Sequence, residues 1–130
     1  MDNYLKVKIT AKEEKAKTNK DKLGIMSKKN SSQSNIKLLI QGLSDDNGLV
    51  RRSNAKALAQ EGSTALPELI NALLNSKNVI QRRAAAKTLK LVEDPTALPH
   101  LIKALTNDSD PVVQFSAAGA IAIFGEDAVN

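Results

Sequence analysis

The ten residues Ala65–Leu74, ALPELINALL, return 32 residues later as ALPHLIKALT at Ala97–Thr106. A chain that writes one segment twice is built from a repeated unit or carries a repeated chemical motif. The residues around the two segments decide between them. Leu66, Leu69, Ile70 and Leu73 fall at i, i+3, i+4 and i+7, as do Leu98, Leu101, Ile102 and Leu105. Ile36, Leu39, Ile40 and Leu43 repeat that spacing upstream. Each set is the apolar stripe of a short amphipathic helix. A polar turn follows each stripe: SDDNG at 44–48, NSKN at 75–78 and NDSDP at 107–111.

A second helix follows each turn, and these also align. The shared pattern is V-R-x-x-A-A-x-A-L. It reads Val50, Arg51, Asn54, Ala55, Ala57, Leu58 in the first copy. The second has Gln81, Arg82, Ala85, Ala86, Thr88, Leu89, and the third Val113, Gln114, Ala117, Ala118, Ala120, Ile121. A period near 32 residues made of two helices predicts a helical solenoid, in which each hairpin buries its stripe against the next. The expected fold is all-α: a right-handed α–α superhelix of about three helical hairpins. The approximate repeats are 35–64, 65–96 and 97–130. Pro67 and Pro99 belong in first turns, where a missing N–H costs nothing. Asp110 is placed to cap the last helix, and Gly62 and Gly125 to follow second helices in the left-handed region. The phased alanines Ala55, Ala85, Ala86, Ala117 and Ala118 allow close helix approach.

Charge divides the chain differently. Residues 1–34 hold nine lysines against four acidic residues, which accounts for the whole net charge of +5, whereas residues 35–130 balance. The first segment ends in the polar KKNSSQSN and lacks the apolar surface to offset chain entropy, so a flexible basic arm is expected. Such an arm suits nucleic acid or an anionic membrane, or simply keeps the chain soluble. The repeat domain is charge-neutral and its aromatics are only Phe115 and Phe124, too few for a base-stacking platform, so nucleic-acid binding ranks last.

Composition excludes several chemistries. Without cysteine there is no disulfide frame, thiolate metal site or cysteine nucleophile. His100 is the sole histidine and sits off the apolar stripe at the register of Glu68, so no metal cluster and no catalytic residue is expected. Ser63 and Thr64 are better placed to cap helices than to act as nucleophiles. No apolar run reaches the roughly 20 residues of a membrane span, and no secretory signal is visible, so a cytoplasmic location is expected.

The segments LIQGLSDDNGLVRRSNAKALAQEG, ALPELINALL…RRAAAKTLKLVEDPTALPHLIKAL and DPVVQFSAAGAIAIFGEDAV carry a family resemblance. Residues 35–130 resemble HEAT-like repeats, specifically the short subtype of phycobilisome lyases. The link EDPTALPHL and the D-x-x-V-R lead-in to second helices are typical. Proteins of this type attach or detach bilin chromophores on phycobiliproteins, serve phycobilisome breakdown, or act as scaffolds in unrelated pathways. Lyase subunits of the family are usually longer and often heterodimeric. Gln114 departs from the arginine the family prefers.

The expected function is therefore a non-catalytic protein-interaction scaffold with no cofactor. The alternative, implied by the resemblance alone, is a phycocyanobilin lyase subunit or phycobilisome-degradation factor, with bilin as its chromophore. Second helices line the concave side of such solenoids. Arg52, Lys56, Arg83, Lys87 and Lys90 are the outward candidates there, a basic strip suited to an acidic protein surface or to bilin propionates. The alternative is an ordinary solvated face. Asp45, Asp46, Asp108 and Asp110 are expected to oppose helix dipoles and pair with Arg51 and Arg82 in a ladder. The last helix, VVQFSAAGAIAIF, is apolar nearly all round. Phe115, Ala118, Ala122 and Phe124 are expected to contact a partner, with a phycobiliprotein or a second repeat subunit as candidates. Homo- or hetero-oligomers through this repeat, or removal of further repeats, would account for its missing polar cap.

Overall fold

The computed structural model describes residues 33–125. The expected basic arm lies outside the described residues except for Gln33 and Ser34, which already belong to the first helix rather than to a linker. Six α-helices follow in order: α1 (33–41), α2 (Gly48–Glu61), α3 (Leu66–Asn75), α4 (Val79–Val92), α5 (Leu98–Asn107) and α6 (Pro111–Ala122). They form three hairpins, as the repeat spacing predicts.

Local chemistry sets the boundaries. Every second helix begins on a side-chain cap. Asn47 Oδ1 accepts from the Leu49 N–H at 2.8 Å, Asn78 Oδ1 from Ile80 at 2.8 Å, and Asp110 Oδ2 from Val113 at 2.9 Å. Pro67 and Pro99 occupy the first turns of α3 and α5. Positive-φ glycines follow the second helices, Gly62 at φ 61° directly after α2 and Gly125 at φ 60° a short turn after α6. Glu93 holds the same register and also has a positive φ, 57°, here in the left-handed helical region, at some strain for a residue with a Cβ. One 3₁₀ turn, Gly62–Ala65 or Pro95–Ala97, then leads into the next first helix.

The second helices α2, α4 and α6 pack side by side as one layer, and each hairpin closes α3 on α4 and α5 on α6. Contact between α3 and α5 is sparser than between second helices, so the second-helix layer is the tighter one. The core joins Ile36, Leu43, Leu58, Leu69, Leu73, Leu89, Leu101 and Val113, all essentially inaccessible. Ala85 and Ala86 of α4 and Ala117 and Ala120 of α6 are buried in the same core. Buried leucines contribute about 1.5–3 kcal/mol each. The polar group buried with them, the Thr88 hydroxyl, donates to the Ala84 carbonyl at 2.7 Å.

One packing site shows how the repeats adapt. Gly42, at the start of the 3₁₀ turn Gly42–Ser44 that ends α1, shares a register with Ala72 of α3 and Ala104 of α5, and Asn54 with Ala85 and Ala117 on the second helices. Where the second helix carries the larger Asn54, the first carries glycine. A Cβ at Gly42 would stand 2.2 Å from Asn54 Nδ2 and 2.4 Å from its Cγ. Asn54 Nδ2 is fixed by donation to the Val50 carbonyl at 2.8 Å. Gly42→Ala should therefore destabilise the protein by about 1–3 kcal/mol. Adding Asn54→Ala reproduces the alanine pairing of the other two repeats and should recover most of the loss. Urea unfolding of the four-member cycle checks this, and strictly additive effects would show that the two sites do not compensate each other.

Candidate interaction surface

The turns between first and second helices carry the charged machinery. At their first position stand Asp45, Ser76 and Asp108, and at their third the caps Asn47, Asn78 and Asp110. Each first-position side chain accepts from the backbone N–H of the cap: Asp45 Oδ1 at 2.8 Å, Ser76 Oγ at 3.1 Å and Asp108 Oδ1 at 2.9 Å. Each turn is thus tied within itself, independently of any inter-repeat contact.

Arginines at the start of second helices reach into these turns. Arg82 donates from Nη1 to the Ser76 carbonyl at 3.0 Å within its own repeat, and from Nε to Asp108 Oδ2 at 2.9 Å in the next. Arg83 forms a two-pronged pair with Asp110, Nε to Oδ2 and Nη2 to Oδ1, both at 2.9 Å. The Arg83 guanidinium, chiefly by this hydrogen bond, holds the Asp110 carboxyl down at about 2 against an ordinary 3.8, with the Val113 N–H adding to it. Asp110 consequently caps α6 and ties repeat two to repeat three.

The ladder is narrower than the sequence suggests. Asp108, Asp110 and Arg82 belong to it. Arg51 donates to the backbone carbonyl of Asp45, so the Asp45 carboxylate meets no arginine. Asp46 is exposed and joins no rung. The cause lies in repeat two, where Ser76 and Asn78 stand in place of Asp108 and Asp110 and offer Arg51 and Arg52 no carboxylate. At the opposite ends of the second helices a separate link joins these repeats: Ser63 Oγ donates to Asp94 Oδ2 at 2.7 Å. That bond and those from Thr96 lower the Asp94 carboxyl. Gln81 Nε2 also donates to the Ile40 carbonyl at 2.8 Å.

The five cations of the expected strip therefore separate. Arg83 is committed to Asp110. Arg52, Lys56, Lys87 and Lys90 are exposed, and none forms a salt bridge among the described residues. Helices α2 and α4 carry Arg51, Arg52, Lys56, Arg82, Arg83, Lys87 and Lys90 against Glu61 as their acidic residue, so a charge-balanced domain has a basic second-helix layer. On α6, Phe115 takes the register of Arg52 and Arg83 and is 80% exposed. Ala122 is exposed, while Ala118 and Phe124 are half-buried. Gln114, at the arginine register, turns its amide back onto the Leu105 carbonyl at 3.1 Å.

Other chemistry is sparse. His100 is partly exposed on α5. Among the described residues no cluster of three His, Asp or Glu side chains could hold a metal, and no helix is long and apolar enough to cross a membrane. A hollow of about 90 Å³ between α3 and α5, lined by Leu73, Leu74, Lys103, Ala104, Asn107 and Asp108, is well below the several hundred Å³ of a small-molecule site.

The stacked hairpins, their shared core and the charged inter-repeat turns define an α-helical repeat protein. The profile of HEAT repeats matches residues 36–122, and the chain belongs to that family. Over 63 residues it is 44% identical to the bilin biosynthesis protein MpeU of Synechococcus sp. (strain WH8020), a stretch covering 48% of this chain and 21% of that relative. The chain thus spans about a fifth of the relative's length. This likeness agrees with the type of repeat expected from the motifs.

The Arg83–Asp110 pair has a pH signature. Because the folded Asp110 value lies below its ordinary 3.8, the pair stabilises the fold fully above about pH 4, and that contribution is lost as pH falls toward 2. Asp110→Asn keeps a capping side chain, as Asn47 and Asn78 show, but removes the carboxylate. The gap in urea midpoint between native protein and variant should be widest at pH 6 and shrink markedly by pH 2.5. A gap that does not change with pH would contradict the assignment.

Proposed function

We propose that the chain is a protein-interaction scaffold whose binding face is the basic second-helix layer with the exposed apolar side of α6. One observation carries this reading. At matched register Arg83 is neutralised by a carboxylate, while Arg52, Lys56, Lys87 and Lys90 stand exposed without one and Phe115 projects from the neighbouring helix. An internal structural role accounts for the first arginine and for none of the others. The partner is a protein, with a phycobiliprotein or a second repeat subunit as the named candidates. The scaffold acts in the cytoplasm and needs no cofactor.

A second reading rests on the 44% identity to a protein named for bilin biosynthesis. Here the chain serves as part of a bilin lyase or phycobilisome-degradation factor, and bilin enters as cargo handed to a phycobiliprotein. The small hollow beside α5 suits such a division of labour, with the chromophore enclosed by the partner rather than by this chain.

Immobilised full-length chain should capture a defined protein from a lysate of its source cell, and Phe115→Asp, with unchanged circular dichroism, should reduce that capture at least fivefold. Nothing retained above blank resin would contradict the scaffold reading. For the second reading, mixing with phycocyanobilin and an apo-phycobiliprotein subunit should produce a new visible absorbance band. Its absence, with and without a second repeat subunit, removes the lyase.

A further inference from the structure

The basic strip and the exposed phenylalanine form an ordered grid, and the grid has a period. Lys56 on α2, Lys87 on α4 and Gly119 on α6 occupy one register, and Arg52, Arg83 and Phe115 another, one helical turn away. Adjacent packed helices lie about 10 Å apart. A row therefore offers a cation, a second cation roughly 10 Å on, and then an uncharged helix surface a further step along. Seven residues of an α-helix advance about 10.5 Å and return to nearly the same face. A helix laid across α2, α4 and α6 would thus present one residue to each row position at i, i+7 and i+14.

The third position is unusual. Gly119 sits inside α6, where glycine weakens a helix. No internal neighbour requires it, because a Cβ there would meet nothing within 4 Å, and its backbone is not left-handed. The bare surface lies one turn from Phe115, so an incoming apolar side chain would rest on the helix backbone with the exposed ring at its flank. Lys90, one turn beyond Lys87, adds charge at the centre of the row.

Resting on the scaffold reading above, we infer that the partner contributes an amphipathic helix carrying acidic residues seven apart and an apolar residue a further seven along. The carboxylates meet Lys56 and Lys87, and the apolar side chain fills the space over Gly119 beside Phe115. Charge complementarity selects an acidic occupant, since α4 and α6 carry no acidic residue and α2 only Glu61 at its end. The occupant is a protein rather than a nucleic acid: of the guanidinium groups suited to phosphate, Arg82 and Arg83 are already held by Asp108 and Asp110, which leaves Arg52 alone on this face.

Three labelled peptides of one alanine- and glutamine-rich helical host test this by fluorescence anisotropy with the full chain at low ionic strength. One carries Glu, Glu and Leu at i, i+7 and i+14. A second carries the same residues at i, i+5 and i+10, which places them on different faces, and the third carries none. The first should bind at least tenfold more tightly than the others. Lys56→Gln with Lys87→Gln, and separately Gly119→Leu, should each weaken it at least fivefold while thermal unfolding stays cooperative. Equal binding of the first two peptides, or binding indifferent to these variants, overturns the inference. So does tighter binding of a single-stranded oligonucleotide or an anionic vesicle that is lost in the same variants. If the peptide fails while the chain still captures a protein from lysate, the scaffold reading stands and only the crossing-helix geometry falls.

Discussion

Each hairpin of this chain is too small to bury its own apolar stripe, and that single constraint organises the rest. Helix α4 shows it best. Its small and aliphatic residues, Ala85, Ala86, Thr88 and Leu89, are buried because helices lie on both of its sides. Close approach requires small side chains along the seam, which explains an alanine content that helix propensity alone would leave unphased. It also explains Gly42, where the first repeat makes room for Asn54 on the facing helix.

The same stacking decides which charges are structural and which are available. Positions repeat every 30 to 32 residues, so an arginine in one repeat always faces the same turn position in the next. Where that position is Asp108 or Asp110, the arginine becomes part of the scaffold. Where it is Ser76 or Asn78, Arg51 turns to its own backbone and Arg52 stays exposed. On α6 the two arginine positions have become Gln114 and Phe115, which ends the charged ladder in favour of an apolar surface. Architecture and recognition thus draw on one register, and small differences between copies assign each residue to one or the other.

Much of this is written in the amino-acid order. The six helices, the hairpin pairing, the first-turn prolines, the Asp110 cap and the left-handed glycines all follow from local rules acting within a few residues. The Arg82–Asp108 rung was legible because the register brings those residue types together. Arg83 reads from the sequence as an outward, partner-facing residue, because its pairing with Asp110 depends on where a long side chain turns between two repeats. Asp46 reads from the sequence as part of the ladder, yet its neighbours Asp45 and Asn47 take the backbone N–H groups of the turn and Asp46 stands exposed outside it. Asn47 and Asn78 were missed as caps, although their alignment with Asp110 was a usable signal. The meaning of Gly119 needed the structure, since only coordinates show that nothing inside the molecule crowds it.

The central claim is that partner recognition lies on the second-helix layer where the copies diverge, and not on the conserved stripes of the first helices. The chain has no cysteine, so single cysteines can be introduced without background. Gln60→Cys on α2, one turn from Lys56, and Asn71→Cys on α3 would each carry a photo-crosslinker in the full chain, both sites being exposed. Irradiation in source-cell lysate should yield a discrete protein adduct from position 60 and none from position 71. An adduct from position 71 with none from position 60 would contradict the account.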